Sequence, residues 1–365
     1  MVFDPASQQL KCPYCGALKP FQAERETPNE YDIRFAPPLE DQAWDDQTRV
    51  ARCESCKAEF VLTGETVLKT CPYCGSAAMA EEQSGPGIAP ENLIPFQLTR
   101  KQAQEKFGQW LKGHIFVSRA VKKEAVRDSI AGVYLPRWTY VDDAESKYMG
   151  RSGRHYDLKI PYTVTDRDGK ERTETRTEQG TRWETVSGQI NERLENVMTE
   201  GSDRIPGELF DAVQPYHMSR LTRYVPEYIA GFACEKPNVD VQENWKKAQG
   251  IVDRRMAALA EREILALADE AQVQSVQTSH YDVRYKLTLL PIYLCTFMYR
   301  KKPRHVLING QTGRVSGYAP ISPLRVGAAV LIVLLLLGGL VWRFLATGGS
   351  EYMFNDLGGR LRMLL

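Results

Sequence analysis

The chain has 365 residues, of which 43% are hydrophobic and 25% charged, with a formal net charge of +1; that length supports two cytosolic units and an anchor. The overall balance says little until it is divided: residues 1–92 carry eight Lys/Arg against fifteen Asp/Glu, a net of −7, whereas Tyr281–Arg325 carries eight basic residues against Asp282 alone, a net of +7. The acidic N-terminal region is a poor surface for phosphate. Six of the eight cysteines fall in Cys-x-x-Cys pairs, which without a secretory signal argues for thiolates on a metal and against a disulfide framework.

The first unit, residues 1–80, holds Cys12-Pro13-Tyr14-Cys15-Gly16, Cys53-Glu54-Ser55-Cys56 and Cys71-Pro72-Tyr73-Cys74-Gly75. Fourteen residues separate the second pair from the third, enough for a β-hairpin that brings the two together. The spacing predicts a zinc ribbon in which Cys53, Cys56, Cys71 and Cys74 close a tetrahedral shell on Zn²⁺. Such a shell has no open position, so the site is structural. The segment has few large apolar residues, and metal binding, worth about 10–16 kcal/mol, would supply its folding energy. Cys12 and Cys15 are also candidate ligands, but only Cys234 and Cys295 remain to complete a second shell, and both lie deep in the next unit. Three readings stay open for the pair: a relic half-site, a zinc site between two protomers, or a partner knuckle lost to a start codon assigned too far downstream. Glu40–Asp46 is an acidic segment around Trp44, read as a solvated loop.

Residues 81–92 form a linker by their Gly, Pro and Ser content, and 93–320 form an α+β domain with a mainly antiparallel sheet. Thr99-Arg100-Lys101-Gln102 has the form of a capping box, with Ala103, Phe107, Trp110 and Leu111 at helical spacing behind it. Ser118 caps a second helix, with Val121, Ala125 and Ile130 inward. Strands are expected at Gly132–Val141, from Tyr156 to Arg182 around a hairpin turn at Asp168-Gly169, and at Thr181–Ile190. Val239–Ala271 reads as the longest helix, burying Trp245, Ala248, Ile251, Met256, Leu259, Ile264 and Leu267. Strands resume at Tyr281–Leu290, Ile292–Tyr299 and His305–Ile308, and Asn309-Gly310 turns the last toward Arg314–Tyr318. Both GVYLPRWTY and LLPIYLCTF carry Leu-Pro followed by an aromatic residue, a hint of internal duplication.

Val326–Val341 is apolar without a charge and is bracketed by Arg325 and Arg343. Val326–Ala346 would span roughly 30 Å as a helix, the thickness of a bilayer core, with Arg343 snorkelling to the headgroups. The expected arrangement is a single-pass protein of the cytoplasmic (inner) membrane, with its N-terminal bulk in the cytoplasm, because Arg300, Lys301, Lys302, Arg304, Arg314 and Arg325 precede the span. A basic membrane-proximal stretch suits an anionic leaflet, although Arg300–Arg304 reads equally as a charged strand edge. Residues 347–365 form a C-terminal tail.

The ordered series of CPYCG knuckles, ENLIPFQLTRKQAQEKFGQWLKG, GVYLPRWTY, TRWETVSGQI, YVPEYIAGF and VLINGQTGRVSGYAP resembles the bacterial TFIIB-type zinc-ribbon proteins often labelled primosomal protein N′-like. It covers nearly all of residues 1–320, in a membrane-anchored member. The resemblance implies four knuckles forming two ribbons. The second, Cys53/Cys56 with Cys71/Cys74, carries over intact; this sequence begins where the first would end. Related proteins with a span are similar to components encoded beside flotillin-like and phage-shock-A-like proteins, which implies a membrane platform for them.

No G-x-x-x-x-G-K-[ST] phosphate loop occurs, and Asp269-Glu270 lies at the end of a helical pattern where a Walker B acid would follow a strand. Cys234 and Cys295 sit in apolar strand-like surroundings, as small buried hydrophobes do, and Trp110, Trp138, Trp183 and Trp245 read as core anchors. The reading is a non-enzymatic zinc-ribbon adaptor or scaffold that recruits flotillin-like or membrane-stress proteins. The alternatives are a membrane-tethered nucleic-acid-associated ribbon protein without its own ATPase, and a thiol enzyme pairing Cys234 or Cys295 with His217, His280 or His305.

Overall fold

A computed structural model describes residues 1–21, 29–38, 49–63, 66–83, 89–114, 130–165, 169, 171–299, 302–319 and 323–346. The Ser118-capped helix, the Glu40–Asp46 loop, most of the Asp168-Gly169 turn, the middle of the 81–92 linker and the 347–365 tail lie outside these residues.

The described chain is a mixed α+β structure, mostly sheet. Short strands β1 (Val2–Asp4), β2 (Gln9–Lys11) and β3 (Leu18–Lys19) form a small sheet of their own. The main sheet contains β4 (Tyr31–Asp32), β5 (Arg49–Cys53), β6 (Glu59–Leu62), β7 (Met79–Gln83) and β8 (Asn92–Leu93). To these it adds β9 (Ile130–Thr165), β10 (Glu171–Glu200), β11 (Thr222–Arg223), β12 (Ala233–Glu235), β13 (Glu270–Tyr299), β14 (Lys302–Asn309) and β15 (Val315–Gly317). Its spine runs β11-β8-β13-β9-β12-β6-β5-β7. Three long helices complete the fold: α1 (Arg100–Gly113), α2 (Val241–Leu265) and α3 (Pro323–Ala346).

The body is an internal duplication, and its two-fold centre is the cross-strand pair Leu135/Leu290. β9 and β13 run antiparallel with Leu135 opposite Leu290, Tyr134 opposite Pro291 and Pro136 opposite Leu289. A half-turn about that pair lays each strand on the other. On its far side each long strand takes the first strand of the other half in parallel. Ala233 and Cys234 of β12 lie against Val133 and Tyr134, while Asn92 and Leu93 of β8 lie against Thr288 and Leu289. The return strands obey the same rotation: Val197 and Glu200 face Tyr140 and Arg137, as Val306 and Asn309 face Cys295 and Ile292.

Irregular segments repeat as well. Gly201 N–H donates to the Pro136 carbonyl at 3.1 Å and Gly310 N–H to that of Pro291 at 2.9 Å. The Gly201 carbonyl accepts from the amides of Asn238 (3.0 Å) and Val239 (3.3 Å), the Gly310 carbonyl from those of Gln97 and Leu98 (both 3.0 Å). Trp138 Nε1–H bonds the carbonyl of Val239 at 2.8 Å, and Tyr293 O–H bonds that of Leu98 at 2.7 Å. One residue further on, Thr99 caps α1 through a capping box and Asp240 caps α2 by accepting from the amides of Gln242 and Glu243. The helices then bury the same face, Ala103, Phe107 and Leu111 in α1 and Asn244, Ala248 and Val252 in α2. The Leu-Pro hint in the sequence marks this repeat.

Proline inside a strand removes a ladder donor, yet Pro136 and Pro291 sit mid-strand. Each falls where the neighbouring strand changes: β13 leaves β8 at Leu289 and meets β14 at Ile292, and β9 leaves β12 at Tyr134 and meets β10 at Arg137. Both proline carbonyls point into that junction, toward the glycine amides, so the missing N–H would also have pointed there.

Three expectations change in detail. The helical pattern Val239–Ala271 ends at Leu265; from Glu270 the alternation of Gln, Ser and Val takes over as β13, and Leu267 is 75% exposed. Strands expected to break at Tyr281 and Pro291 form one element, with register shifts between Val273 and Ser275 and between Tyr281 and Arg284. Trp183 lies outside the core on the β9/β10 ribbon, under the Arg151 guanidinium at 5.3 Å.

A Cβ added at Gly201 would stand 2.7 Å from the Pro136 carbonyl oxygen, and one at Gly310 would stand 2.6 Å from the Phe96 ring and 3.0 Å from Pro291. Gly201→Ala and Gly310→Ala should each lower stability by about 1–3 kcal/mol, read as a fall in urea midpoint at unchanged slope.

Candidate metal centre

The cysteine unit is built into the main sheet. β6 pairs with β12, setting Val61 against Cys234 and Phe60 against Glu235, and β5 lies between β6 and β7. Where the sequence suggests an acidic ribbon held by a linker, the ladder makes the unit part of the body's sheet.

The turn between β5 and β6 carries Cys53 and Cys56, and the segment before β7 carries Cys71 and Cys74. Their ligand atoms all lie within 4.8 Å of one another. Cys53 Sγ is 3.6 Å from Cys74 Sγ and Cys56 Sγ is 3.5 Å from Cys71 Sγ. A disulfide would require about 2.05 Å, whereas four sulfurs each about 2.3 Å from a central ion stand about 3.8 Å apart. The four cysteines could hold one metal ion in a closed shell.

Backbone geometry prepares the sulfurs. Cys71 N–H donates to the Ser76 carbonyl at 2.8 Å and Gly75 N–H returns to the Cys71 carbonyl at 2.9 Å; Cys53 N–H to Ala58 and Lys57 N–H to Cys53, at 2.9 and 2.8 Å, copy it. The fifth residue of each turn is left-handed, glycine at φ +72° in one and Lys57 at φ 61° in the other. Burial acts against ionisation of Cys53, but the amides of Cys56 and Ser55 bring its thiol down to about 7. Burial pushes the Cys71 thiol up, and neighbouring Cys56 adds to the rise. A cation among the sulfurs would let all four carry charge.

Cys12 and Cys15 adopt the same turn, with Cys12 N–H to Ala17 at 2.9 Å, Gly16 N–H to Cys12 at 3.0 Å and Gly16 at φ +74°. Backbone amides of Cys15 and Tyr14 lower the Cys12 thiol. The structure does not bring this pair to the other four: among the described residues, Cys53, Cys56, Cys71 and Cys74 form the one such group.

The body grips both knuckles through residues that sequence reasoning passed over. Glu235 is 2% exposed and accepts from Tyr73 O–H and from Ser202 O–H, each at 2.6 Å. Arg204 donates to the carbonyls of Cys56 (2.5 Å) and Lys57 (2.8 Å), and Thr296 O–H to that of Pro72 at 2.5 Å. The Tyr73 ring stacks on Phe60 at 5.7 Å. In sequence Glu235 looks like a surface charge; its one signal is the apolar run GFAC before it. Burial raises the Glu235 carboxyl from the ordinary 4.5 to about 7 against the pull of Ser202 and Tyr73.

The thiol–histidine alternative finds little in the geometry. Cys234 and Cys295 are fully buried, and burial pushes the Cys234 thiol well up, the reverse of an activated nucleophile. His280 Nδ1 is 2.6 Å from Asp142 and His305 Nδ1 is 3.1 Å from Thr296 Oγ1.

Fold and site together define a mixed α+β protein, mostly sheet, with a four-cysteine cluster able to hold a metal ion and a C-terminal helix, Val326–Arg343, long and apolar enough to cross a membrane. Over 280 residues the chain is 25% identical to the protein recorded as "Uncharacterized protein YdjG" of Bacillus subtilis (strain 168), which covers 73% of this chain and 76% of that one. No protein-family model and no solved structure matches the chain. The TFIIB-type resemblance therefore has the cysteine cluster behind it, and neither a family model nor a characterised relative.

Cys71→Ser should abolish metal bound by the purified chain and lower its thermal midpoint, whereas Cys12→Ser should leave metal content unchanged, both read by elemental mass spectrometry. Between about pH 4.5 and about 7 folded Glu235 keeps a proton that the unfolded chain releases. Its contribution to stability therefore falls as pH rises through that window, by on the order of 3 kcal/mol. Glu235→Gln should remove that slope, seen as a wild-type-minus-variant difference in urea stability that shrinks with rising pH.

Proposed function

We propose that the chain is a non-enzymatic zinc-ribbon adaptor, anchored by α3 in the bacterial cytoplasmic membrane with its body on the cytoplasmic side. The observation that carries this reading is the state of α3. Val326–Arg343 has a mean hydropathy of 2.3, and none of it is buried against the rest of the described chain. A helix of that composition needs another apolar medium. In this arrangement α3 is the single-pass span, residues 347–365 follow it as a tail, and residues 1–80 and 93–320 form the cytoplasmic bulk.

Zn²⁺ is the ion proposed for Cys53, Cys56, Cys71 and Cys74, since four thiolates in a tetrahedral shell suit it and leave no position for a substrate. The metal then holds a shape. Glu235, Arg204 and Thr296 tie that shape to the body, so the ribbon and the α+β unit present one rigid surface. The basic residues before α3 favour the cytoplasmic orientation and an anionic leaflet. The partners proposed are flotillin-like or phage-shock-A-like membrane proteins, on the strength of the motif resemblance.

Deleting Val326–Leu365 should move the protein from the membrane fraction to the soluble fraction with its metal retained; a truncated chain that stays with the membrane overturns the anchor. Affinity purification of the gently solubilised full chain should recover membrane-stress or flotillin-like proteins. Recovery of nucleic acid with replication proteins in their place would overturn the adaptor reading.

A further inference from the structure

The β9/β10 ribbon outruns the body. β13 begins with Glu270 opposite Gly153, and beyond that point, among the described residues, 154–165 and 171–182 pair only with each other. At ~3.3 Å per residue this arm is roughly 40 Å long. Its base is clamped: Glu270 accepts from His155 Nε2 at 2.6 Å and from Thr181 Oγ1 at 3.0 Å, and Asp269 accepts from the His155 amide at 2.8 Å. A two-stranded ribbon alone is marginal in water, and its open edges are templates for another strand.

The two edges differ. Pro161 takes a donor out of β9, as in strands whose outer edge stays unpaired. β10 has no proline, and among the described strands it pairs with β9 alone. Its arm segment alternates strictly: Arg172, Glu174, Arg176 and Glu178 share one face, and Thr173, Thr175 and Thr177 share the other.

We propose that this edge of β10 pairs antiparallel with the same edge of a second copy, centred on Thr175. In that register Arg172 faces Glu178 of the other copy and Glu174 faces Arg176, each twice by symmetry, and the threonines face one another on the opposite side. Opposite charges and Thr–Thr pairs are favourable cross-strand neighbours. A slip of two residues one way sets Arg176 against its own copy and Glu174 against Glu178; a slip the other way sets Glu174 against its own copy and Arg172 against Arg176. A slip of one residue moves every side chain to the wrong face. The pattern therefore attracts in one register and repels in its neighbours, which is how pairing specificity is encoded. Contacts within each arm are compatible with it: Arg176 lies 2.7 Å from Glu178, and Tyr162 donates to Glu174 at 2.9 Å, leaving further donors on the guanidinium and lone pairs on the carboxylates. The product is a four-stranded antiparallel sheet in which exposed Tyr156, Leu158 and Tyr162 of both copies lie on the flanking strands.

The test is sedimentation velocity on the full chain in a mild detergent. The wild type should run at twice the protomer mass. Arg172→Glu with Arg176→Glu makes every charged pair like-signed and should raise the dimer dissociation constant at least about tenfold. Adding Glu174→Arg and Glu178→Arg restores complementarity and should restore the dimer, although this chain carries more substitutions. Mixed with wild type, the fully inverted chain should form dimers only with itself. A monomeric wild type, as expected if the edge serves a different protein, overturns the proposal. So does a double variant that dimerises normally, which would place self-association elsewhere, for example at Gly338-Gly339 of α3; so does an inverted chain that stays monomeric.

Discussion

Everything in the body hangs on one strand pairing, the antiparallel contact of β9 with β13 about Leu135 and Leu290. Because each long strand also takes the other half's first strand in parallel, neither half closes its own sheet. The two halves are interlocked by backbone hydrogen bonds, and the equivalent bonds at Gly201 and Gly310 show how far that equivalence extends beyond the strands. Prolines that would weaken an ordinary central strand are placed where the partner strand changes and no donor is needed. Conservation of geometry without conservation of identity is evident in Trp138 and Tyr293, which bond equivalent carbonyls with an indole N–H and a phenol O–H.

The cysteine cluster is joined to that sheet by a strand ladder and by side chains of the body. Its β6 strand extends the ladder through β12, the strand in which Glu235 is held. A carboxyl that far from water is costly unless its oxygens are satisfied, and here Tyr73 and Ser202 satisfy one each. One residue thus joins the knuckle that carries Cys71 and Cys74 to the segment after β10. A metal bound at the four sulfurs would rigidify a surface that reaches through Arg204 and Glu235 into the duplicated core.

How much of this the sequence discloses depends on whether a feature is local. The Thr99 capping box, the knuckles and the strands flanking the Asp168-Gly169 turn depend on residues close in sequence, and they are found where the spacing places them. By sequence β13 reads as two strands broken at Pro291, because the junction that tolerates proline is made by strands far away in the chain. Leu267 fits a helical period that stops at Leu265 for want of core to pack against, and Trp183 reads as core although it lies on the arm. Glu235 hardly shows as a buried group, because beyond the apolar run before it nothing within a few residues announces Tyr73 and Ser202. In the sequence the repeat shows only as Leu-Pro and as the glycines Gly201 and Gly310, since Thr99 matches Asp240 and Phe107 matches Ala248 in role and not in kind.

The exchange of first strands also sets a schedule for synthesis. Val133 and Tyr134 emerge from the ribosome well before Thr288 and Leu289, the strand segment that β8 needs, and at ordinary elongation rates the interval is roughly ten to thirty seconds. Throughout it the N-terminal half holds an apolar strand surface with no partner, and non-local pairing of this kind is slow even when the partner arrives. β15 ends at Gly317 and α3 begins at Pro323. The last strand and the apolar helix therefore reach the exit tunnel's end almost together, so the chain cannot finish folding its body long before that helix must find an apolar environment.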